Sequence, residues 1–236
     1  MNKSKKLKIA LDGPSGAGKS TLAKNLAKEL GLVYVDTGAL YRTVGLYVKR
    51  AGTDPHDAEA VIKLLPGIKI EMTYVEGKQT VLLDGEDVGD LIRTGDISMY
   101  ASAVSAIPAV RQFLFKTQRD ICDKGGVVMD GRDIGTVIMP DADVKIFIVA
   151  SAEARAQRRY DELIAKGENC TYESVLADMK KRDENDRERD VAPAVAASDA
   201  VLLDNSGFEP EDSLKAALEI IEGKTGDKTP KGSDLD

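Results

Sequence analysis

Apolar residues follow three different rhythms along this chain, and each predicts a different kind of element. LKIAL (7–11) is a nearly unbroken apolar run that ends in DGPSGAGKST, which predicts a buried strand, a glycine-rich turn and a helix. Within TLAKNLAKELG, Leu22, Leu26 and Leu30 recur every four residues and Gly31 ends the pattern. LVYVD (32–36) predicts a second strand, and a helical pattern runs from TGALYR to about Arg50. Apolar strands alternating with amphipathic helices point to an α/β protein with a parallel sheet. Residues 68–93 instead alternate apolar and polar side chains, with Glu76-Gly77 and Asp84-Gly85 as turn signals, so a small antiparallel insert is expected there.

Helices are expected over 95–124, with Pro108 opening one of them. GVVMDG (126–131) and VKIFIVA (144–150) return to the buried-strand type. Residues 151–165 and 172–190 predict two helices joined by KGENC, AVLLDN (200–205) a last strand, and 210–223 a last amphipathic helix. The end, GKTGDKTPKGSDLD, is almost without apolar residues and is expected to be disordered.

GPSGAGKS (13–20) fits G-x-x-x-x-G-K-S between a predicted strand and a predicted helix, which is the context a phosphate-binding loop requires. Its backbone N–H groups and the positive end of the following helix can hold phosphate oxygens. Lys19 adds a point charge near the outer phosphates, and the Ser20 hydroxyl can ligate Mg²⁺. Gly13, Pro14, Ser15, Gly16, Ala17, Gly18, Lys19, Ser20 and Thr21 are therefore the expected stretch for a nucleoside triphosphate, ATP by the resemblance described below, with Ser20 as the metal ligand. The fold class this implies is a P-loop NTPase-type parallel sheet flanked by helices, carrying the antiparallel insert and a helical lid. The expected organisation is a P-loop core over 1–66 and 94–224 with a helical lid at about 152–190, the insert over 67–93, and a tail over 225–236.

The loop alone leaves three classes open: a small-molecule kinase, a GTPase switch and an ATPase motor. The N-K-x-D tetrapeptide that reads guanine is absent, and net charge −7 argues against a nucleic-acid polymer as partner. A kinase predicts further cationic residues for an anionic acceptor, and an arginine-bearing lid. DTGALYR (36–42) places Thr37, Tyr41 and Arg42 after the second strand, and MDGRDIG (129–135) places Asp130, Arg132 and Asp133 after another. ASAVSAIPAVR holds Ser102 and Arg111. In the charged run RDENDRERD (182–190), Arg182, Asp186 and Arg189 share one helical face. Such a run by itself is usually a solvated surface. Arg155, Arg158 and Arg159 lie on one face of the preceding helix, so the pair reads as a hinged hairpin over the triphosphate. Over 151–190 there are nine Lys/Arg against eleven Asp/Glu, so placement of the arginines and not total charge would make it bind phosphate.

Two cysteines, Cys122 and Cys170, and one histidine, His56, build neither a disulfide framework nor a metal cluster. The opening MNKSKKLKIALDG is too short in apolar residues for a secretory signal, and no run approaches the ~20 residues of a membrane span, so a cytoplasmic protein is expected. Nothing demands more than a monomer.

Taken in order, GPSGAGKST, DTGALYR, DGRDIGTVIMPDADVKIFI and RDENDRERDVAP resemble the bacterial cytidylate kinases from about residue 7 to about residue 223. The insert resembles their extended nucleotide-side domain, which the shorter UMP/CMP kinases of eukaryotes lack. The resemblance implies phosphate transfer from ATP, with Mg²⁺, to CMP or dCMP. It also implies that Arg42, Arg132 and Arg182 hold the CMP phosphate. Ser102, Arg111 and Asp133 would read cytosine, Asp186 with Arg189 would contact the sugar, and Thr37 and Tyr41 would line the pocket. Thr37 stands where some relatives have serine, which keeps the hydroxyl. Lys19, Arg132 and Arg182 are the expected catalytic set, and Arg155 and Arg158 the lid residues on ATP. A kinase of another small acceptor, or a nucleotide-hydrolysing switch, is the alternative.

Overall fold

The computed structural model describes residues 7–75, 78–188 and 193–226. By its internal contacts the chain divides into two compact units, Met1–Tyr34 with Gly125–Asp236, and Val35–Lys124. The second unit is wider than the expected insert over 67–93, because the helices on either side of that segment share its core.

In the first unit, β1 (Lys8–Asp12) leads through the glycine loop into α1 (Lys19–Glu29), and β2 begins at Val33 and ends at Asp36. The chain returns with β6 (Val127–Gly131), β7 (Val144–Val149), α6 (Ala152–Ala165), α7 (Tyr172–Glu188), β8 (Val201–Asp204) and α8 (Pro210–Thr225). The five strands lie in the order β2-β6-β1-β7-β8, and β1 pairs in parallel with both β6 and β7. From β1 the chain goes to β2 on one side, and from β6 it crosses to β7 on the other. The carboxyl end of β1 is therefore the switch point at which open α/β sheets bind ligands, and the glycine loop starts there. Ile9, Leu11, Leu22, Leu26, Val128, Ile146, Ile148 and Ile221 close the core beneath it, with α1 and α8 supplying apolar faces. Helix α8 runs through Thr225 and stops at Gly226 in the left-handed conformation, slightly past the expected boundary. The rest of the expected tail, 227–236, lies outside the described residues, as does the turn at Glu76-Gly77.

The second unit contains α2 (Thr37–Arg50), α3 (Ala58–Leu64), a 3₁₀ turn, β3 (Ile70–Val75), β4 (Lys78–Leu83), β5 (Glu86–Asp87), a second 3₁₀ turn, α4 (Gly95–Ser105) and α5 (Pro108–Cys122). β3, β4 and β5 form an antiparallel sheet. With β5 only two residues long the sheet is little more than a hairpin, which needs packing against helices to be stable. Val81 and Leu83 of β4 are accordingly buried in one cluster with Leu40, Val44, Val61, Val104 and Leu114 of the surrounding helices. Asp84 and Gly85 turn β4 into β5 with φ of 52° and 86°, as the Asp-Gly pair predicts. Helix α3, for which the apolar pattern gave no expectation, starts from Asp57, whose side chain accepts from Ala60 N.

Candidate active site

The phosphate loop is held open from several directions within the first unit. Gly13 has φ of 146°, and a Cβ there would stand 2.3 Å from the Ile148 carbonyl oxygen, so no other residue fits between β1 and β7. Asn205, buried at the end of β8, donates through Nδ2 to Ala17 O at 2.9 Å. Arg155 donates from Nη1 to Ser15 O at 2.9 Å, and Arg158 from Nη2 to Asn205 O. Neither Arg155 nor Asn205 is a surface residue: both are 3% exposed. Arg155 spends its remaining donors on Ala150 O and on both carboxylate oxygens of Asp183 in α7. Arg159, one turn on, is paired with Glu162 at the surface. The sequence pattern placed the three arginines on one face; the fold sends Arg155 to the phosphate loop, Arg158 to the backbone that follows β8, and leaves Arg159 half-exposed on Glu162 and near Arg182.

Lys19 opens α1 and is buried, with Nζ donating to Pro14 O at 2.6 Å. Burial, and next the charge of Arg132, hold its pKa down at about 7, against the opposite pull of Asp130, Asp186 and Asp12. Arg182 is pushed down likewise, by burial first and then by Arg132. Lys19, Arg132 and Arg182 thus crowd cationic charge into one place, which favours an anion among them. The Ser20 hydroxyl donates to Asp130 Oδ2 at 2.8 Å, so a hydroxyl oxygen and a carboxylate stand together at the end of β6. Both are hard oxygen donors of the kind Mg²⁺ takes, with the remaining positions left to phosphates and water. No cluster of three metal-ligating side chains occurs among the described residues.

After β6 the segment Ile134–Ile138 forms a single π turn, with Met139 N donating to Ile134 O. π turns frequently mark functional segments. The Asp12 carboxylate accepts from Ile134 N at 2.8 Å and from Gly135 N at 2.7 Å, which ties the turn to the end of β1. Burial pushes the pKa of Asp12 up to about 6 despite those two bonds. The turn is preceded by Asp133, buried, and by Arg132, whose Nε donates to Asp186 Oδ2 at 2.7 Å. Arg132, Asp133, Arg182 and Asp186 therefore come from expected stretches and sit in this unit, while Arg189 lies outside the described residues.

In the second unit, Asp36 caps α2 by accepting from Ala39 N, and its other oxygen accepts from Arg42 Nη2 at 2.7 Å. The guanidinium folds back over Gly38, where a Cβ would meet Arg42 Nη1 at 2.9 Å. Arg42 Nε is buried without a hydrogen-bond partner among the described residues. The Arg111 guanidinium lies 5.4 Å from the centre of the Tyr41 ring and donates to Ser105 O, while the Ser102 carbonyl on α4 accepts from the Ser105 hydroxyl. Thr37 is buried at the first position of α2. Asp12, Asp36, Asp183 and Asn205 are the residues that the sequence motifs did not single out. Asp36 and Asp12 are the nearest to legible, being carboxylates at strand ends, the first opening DTGALYR and the second directly before the glycine loop.

Strand, glycine loop and helix at the switch point of a parallel sheet, with a buried lysine and an arginine-bearing helical hairpin behind the loop, define a P-loop kinase. The family model of cytidylate kinase matches residues 9–223. A cytidylate kinase of Caldicellulosiruptor bescii is 48% identical over 217 residues, covering 92% of this chain and 96% of the relative. One of Fervidobacterium nodosum is 49% identical over 214 residues, covering 91% and 95%. The crystal structure of shikimate kinase from Bacteroides thetaiotaomicron aligns over 92% of this chain and 98% of its own, with 15% identity and a TM-score of 0.47. The chain belongs to the cytidylate kinase family, and it is an enzyme, a nucleotide-binding transferase of the kinase class. No helix among the described residues is long and apolar enough to cross a membrane.

Proposed function

We propose that this enzyme transfers the γ-phosphate of ATP to CMP or dCMP, giving ADP and CDP or dCDP, in the cytoplasm and as a monomer. The observation that carries this reading is the cationic trio Lys19, Arg132 and Arg182, in which Arg132 lowers the pKa of both others. Asp130 and Asp186 stand among these cations, with Arg132 bonded to Asp186 at 2.7 Å, so a transferring phosphoryl group would meet cationic groups already fixed in place. Phosphoryl transfer asks a protein for in-line positioning and electrostatic stabilisation, and for little covalent help. Gly13 to Thr21 hold ATP, with Lys19 on the outer phosphates. Arg155 and Arg158 serve the same end through the loop backbone, on Ser15 O directly and on Ala17 O by way of Asn205. Ser20, whose proton is turned to Asp130, would hold Mg²⁺, and that ion supplies neutralisation of phosphate charge when bound.

On the acceptor, Arg42, Arg132 and Arg182 take the phosphate, Asp186 with Arg189 the sugar, and Thr37 and Tyr41 line the pocket. Ser102, Arg111 and Asp133 read cytosine. That base offers one amine donor and two acceptors, and a carboxylate at Asp133 accepts from the amine while a guanidinium donates to the acceptors. Uracil would set a carbonyl against the carboxylate, and buried groups left unmatched in this way are rejected strongly.

ADP formation from Mg-ATP, measured with CMP, dCMP, UMP, AMP, GMP and no acceptor, tests the reading. Rapid ADP formation with CMP and dCMP alone is expected. A different preferred acceptor would reassign the base-reading residues. ADP formed without acceptor and unaffected by CMP would make the protein a hydrolysing switch instead.

A further inference from the structure

The antiparallel sheet has no part in the roles assigned above, yet one of its side chains reaches the start of α2. Gln79 on β4 accepts through Oε1 from Asp36 N at 2.8 Å and donates from Nε2 to Asp36 O at 3.2 Å. Strand geometry explains why those two groups were available. Val33 N donates to Gly126 O, so Val33 faces the neighbouring strand, and successive residues alternate. Asp36, three residues on, turns both its N–H and its C=O to the opposite edge. β2 is the outermost strand of the five, so among the described residues no further strand pairs there. A carboxamide presents one acceptor and one donor side by side, and it satisfies both groups of one residue as a neighbouring strand would.

The same Asp36 holds Ala39 N through one carboxylate oxygen and Arg42 Nη2 through the other. A chain of specific contacts therefore runs from the sheet through Gln79 and the Asp36 backbone to the Asp36 carboxylate and the Arg42 guanidinium. We propose that Gln79 is a positioning residue for Arg42, so that the antiparallel sheet fixes the guanidinium that receives the phosphate of the acceptor nucleotide. This rests on the acceptor role given to Arg42 above. Gln79 touches neither nucleotide in this scheme. An ordinary cross-strand role, opposite Tyr74 of β3, would use only its stem.

The test is a double-mutant cycle in the full chain with Gln79→Met, Arg42→Ala and the pair, reading KM for CMP, KM for ATP, kcat and thermal unfolding. Gln79→Met keeps the length and removes both bonds. KM for CMP should rise roughly five- to tenfold, as losing two hydrogen bonds that act through one intermediate suggests, with KM for ATP within about twofold. In the Arg42→Ala background the same change should add nothing to KM for CMP. Gln79→Glu is the second variant: it keeps an acceptor for Asp36 N but sets a carboxylate against Asp36 O, and should raise KM for CMP at pH 8 at least as far. If Arg42→Ala raises KM for CMP while both Gln79 variants leave it unchanged or add to it independently, the proposal is overturned and the acceptor role of Arg42 stands. If Arg42→Ala leaves KM for CMP unchanged, the acceptor role fails and the proposal fails with it. A lowered melting temperature with unchanged KM for CMP would reduce Gln79 to a structural residue.

Discussion

Replacing Arg155 with Met should damage folding before it damages nucleotide binding. The Arg155 side chain is 4% exposed and its partner Asp183 17%. Its guanidinium is bidentate on Asp183 and also donates to Ser15 O and Ala150 O. Met fills most of the volume but leaves a largely enclosed carboxylate without its cation, and two backbone oxygens without a donor. Removing one member of a buried pair costs about 3–5 kcal/mol. Because Asp183 keeps some access to water, about 3 kcal/mol is expected. For a chain of this length that is a fall in melting temperature of about 6–12 °C. Lys is no substitute, since an ammonium cannot serve the fork of Asp183 and two carbonyls from one position. Asp183→Asn should cost less, and combining it with Arg155→Met should cost less than the sum, because the unpaired charge is gone. Differential scanning fluorimetry with and without ATP, alongside KM for ATP, reads all three variants. A melting temperature within about 2 °C of the parent, together with a large rise in KM for ATP, would mean that the guanidinium acts on ATP itself rather than on the loop that carries it.

Three further outcomes are expected. Asp133→Ala should lower kcat/KM for CMP and narrow the preference for CMP over UMP, by roughly 10- to 100-fold if the carboxylate reads the amine; an unchanged ratio would remove Asp133 from base reading. Arg182→Ala should cut kcat by roughly 100-fold or more with little change in melting temperature, because burial and Arg132 already disfavour its charge in the fold; near-normal turnover would refute its place on the phosphate. Asp12 has its folded pKa raised to about 6 from 3.8, so the native state binds the extra proton between those values. Its contribution to stability therefore falls as pH rises through that window, and the stability of the parent relative to Asp12→Asn, from urea midpoints at pH 4 to 7, should fall too; a flat difference would contradict the burial argument.

What the sequence made legible is local, and what it hid is long-range. The phosphate loop is readable because the loop, its lysine and its serine occupy eight consecutive positions between a strand and a helix, and the structure puts them at the switch point of the predicted parallel sheet. DTGALYR and MDGRDIG are readable for the same reason, as charged residues in short turns after apolar strands. The contacts that give those residues their geometry come from elsewhere in the chain. Asn205 holds Ala17 from 188 positions away, Asp12 holds the π turn from 122, and Gln79 holds Asp36 from 43. None of these has a periodic or spacing signature, because each is a single polar group satisfied by the fold rather than by its neighbours. The hairpin arginines show the limit most clearly. Spacing of three and four residues put Arg155, Arg158 and Arg159 on a common face, which is a statement about one helix. Which of them is buried was decided by Asp183 on the next helix and by Ser15 O and Asn205 O from two other loops. The pattern therefore predicts that cationic side chains are presented. Whether each one binds a ligand or braces the loop that binds it is set by partners the pattern does not contain.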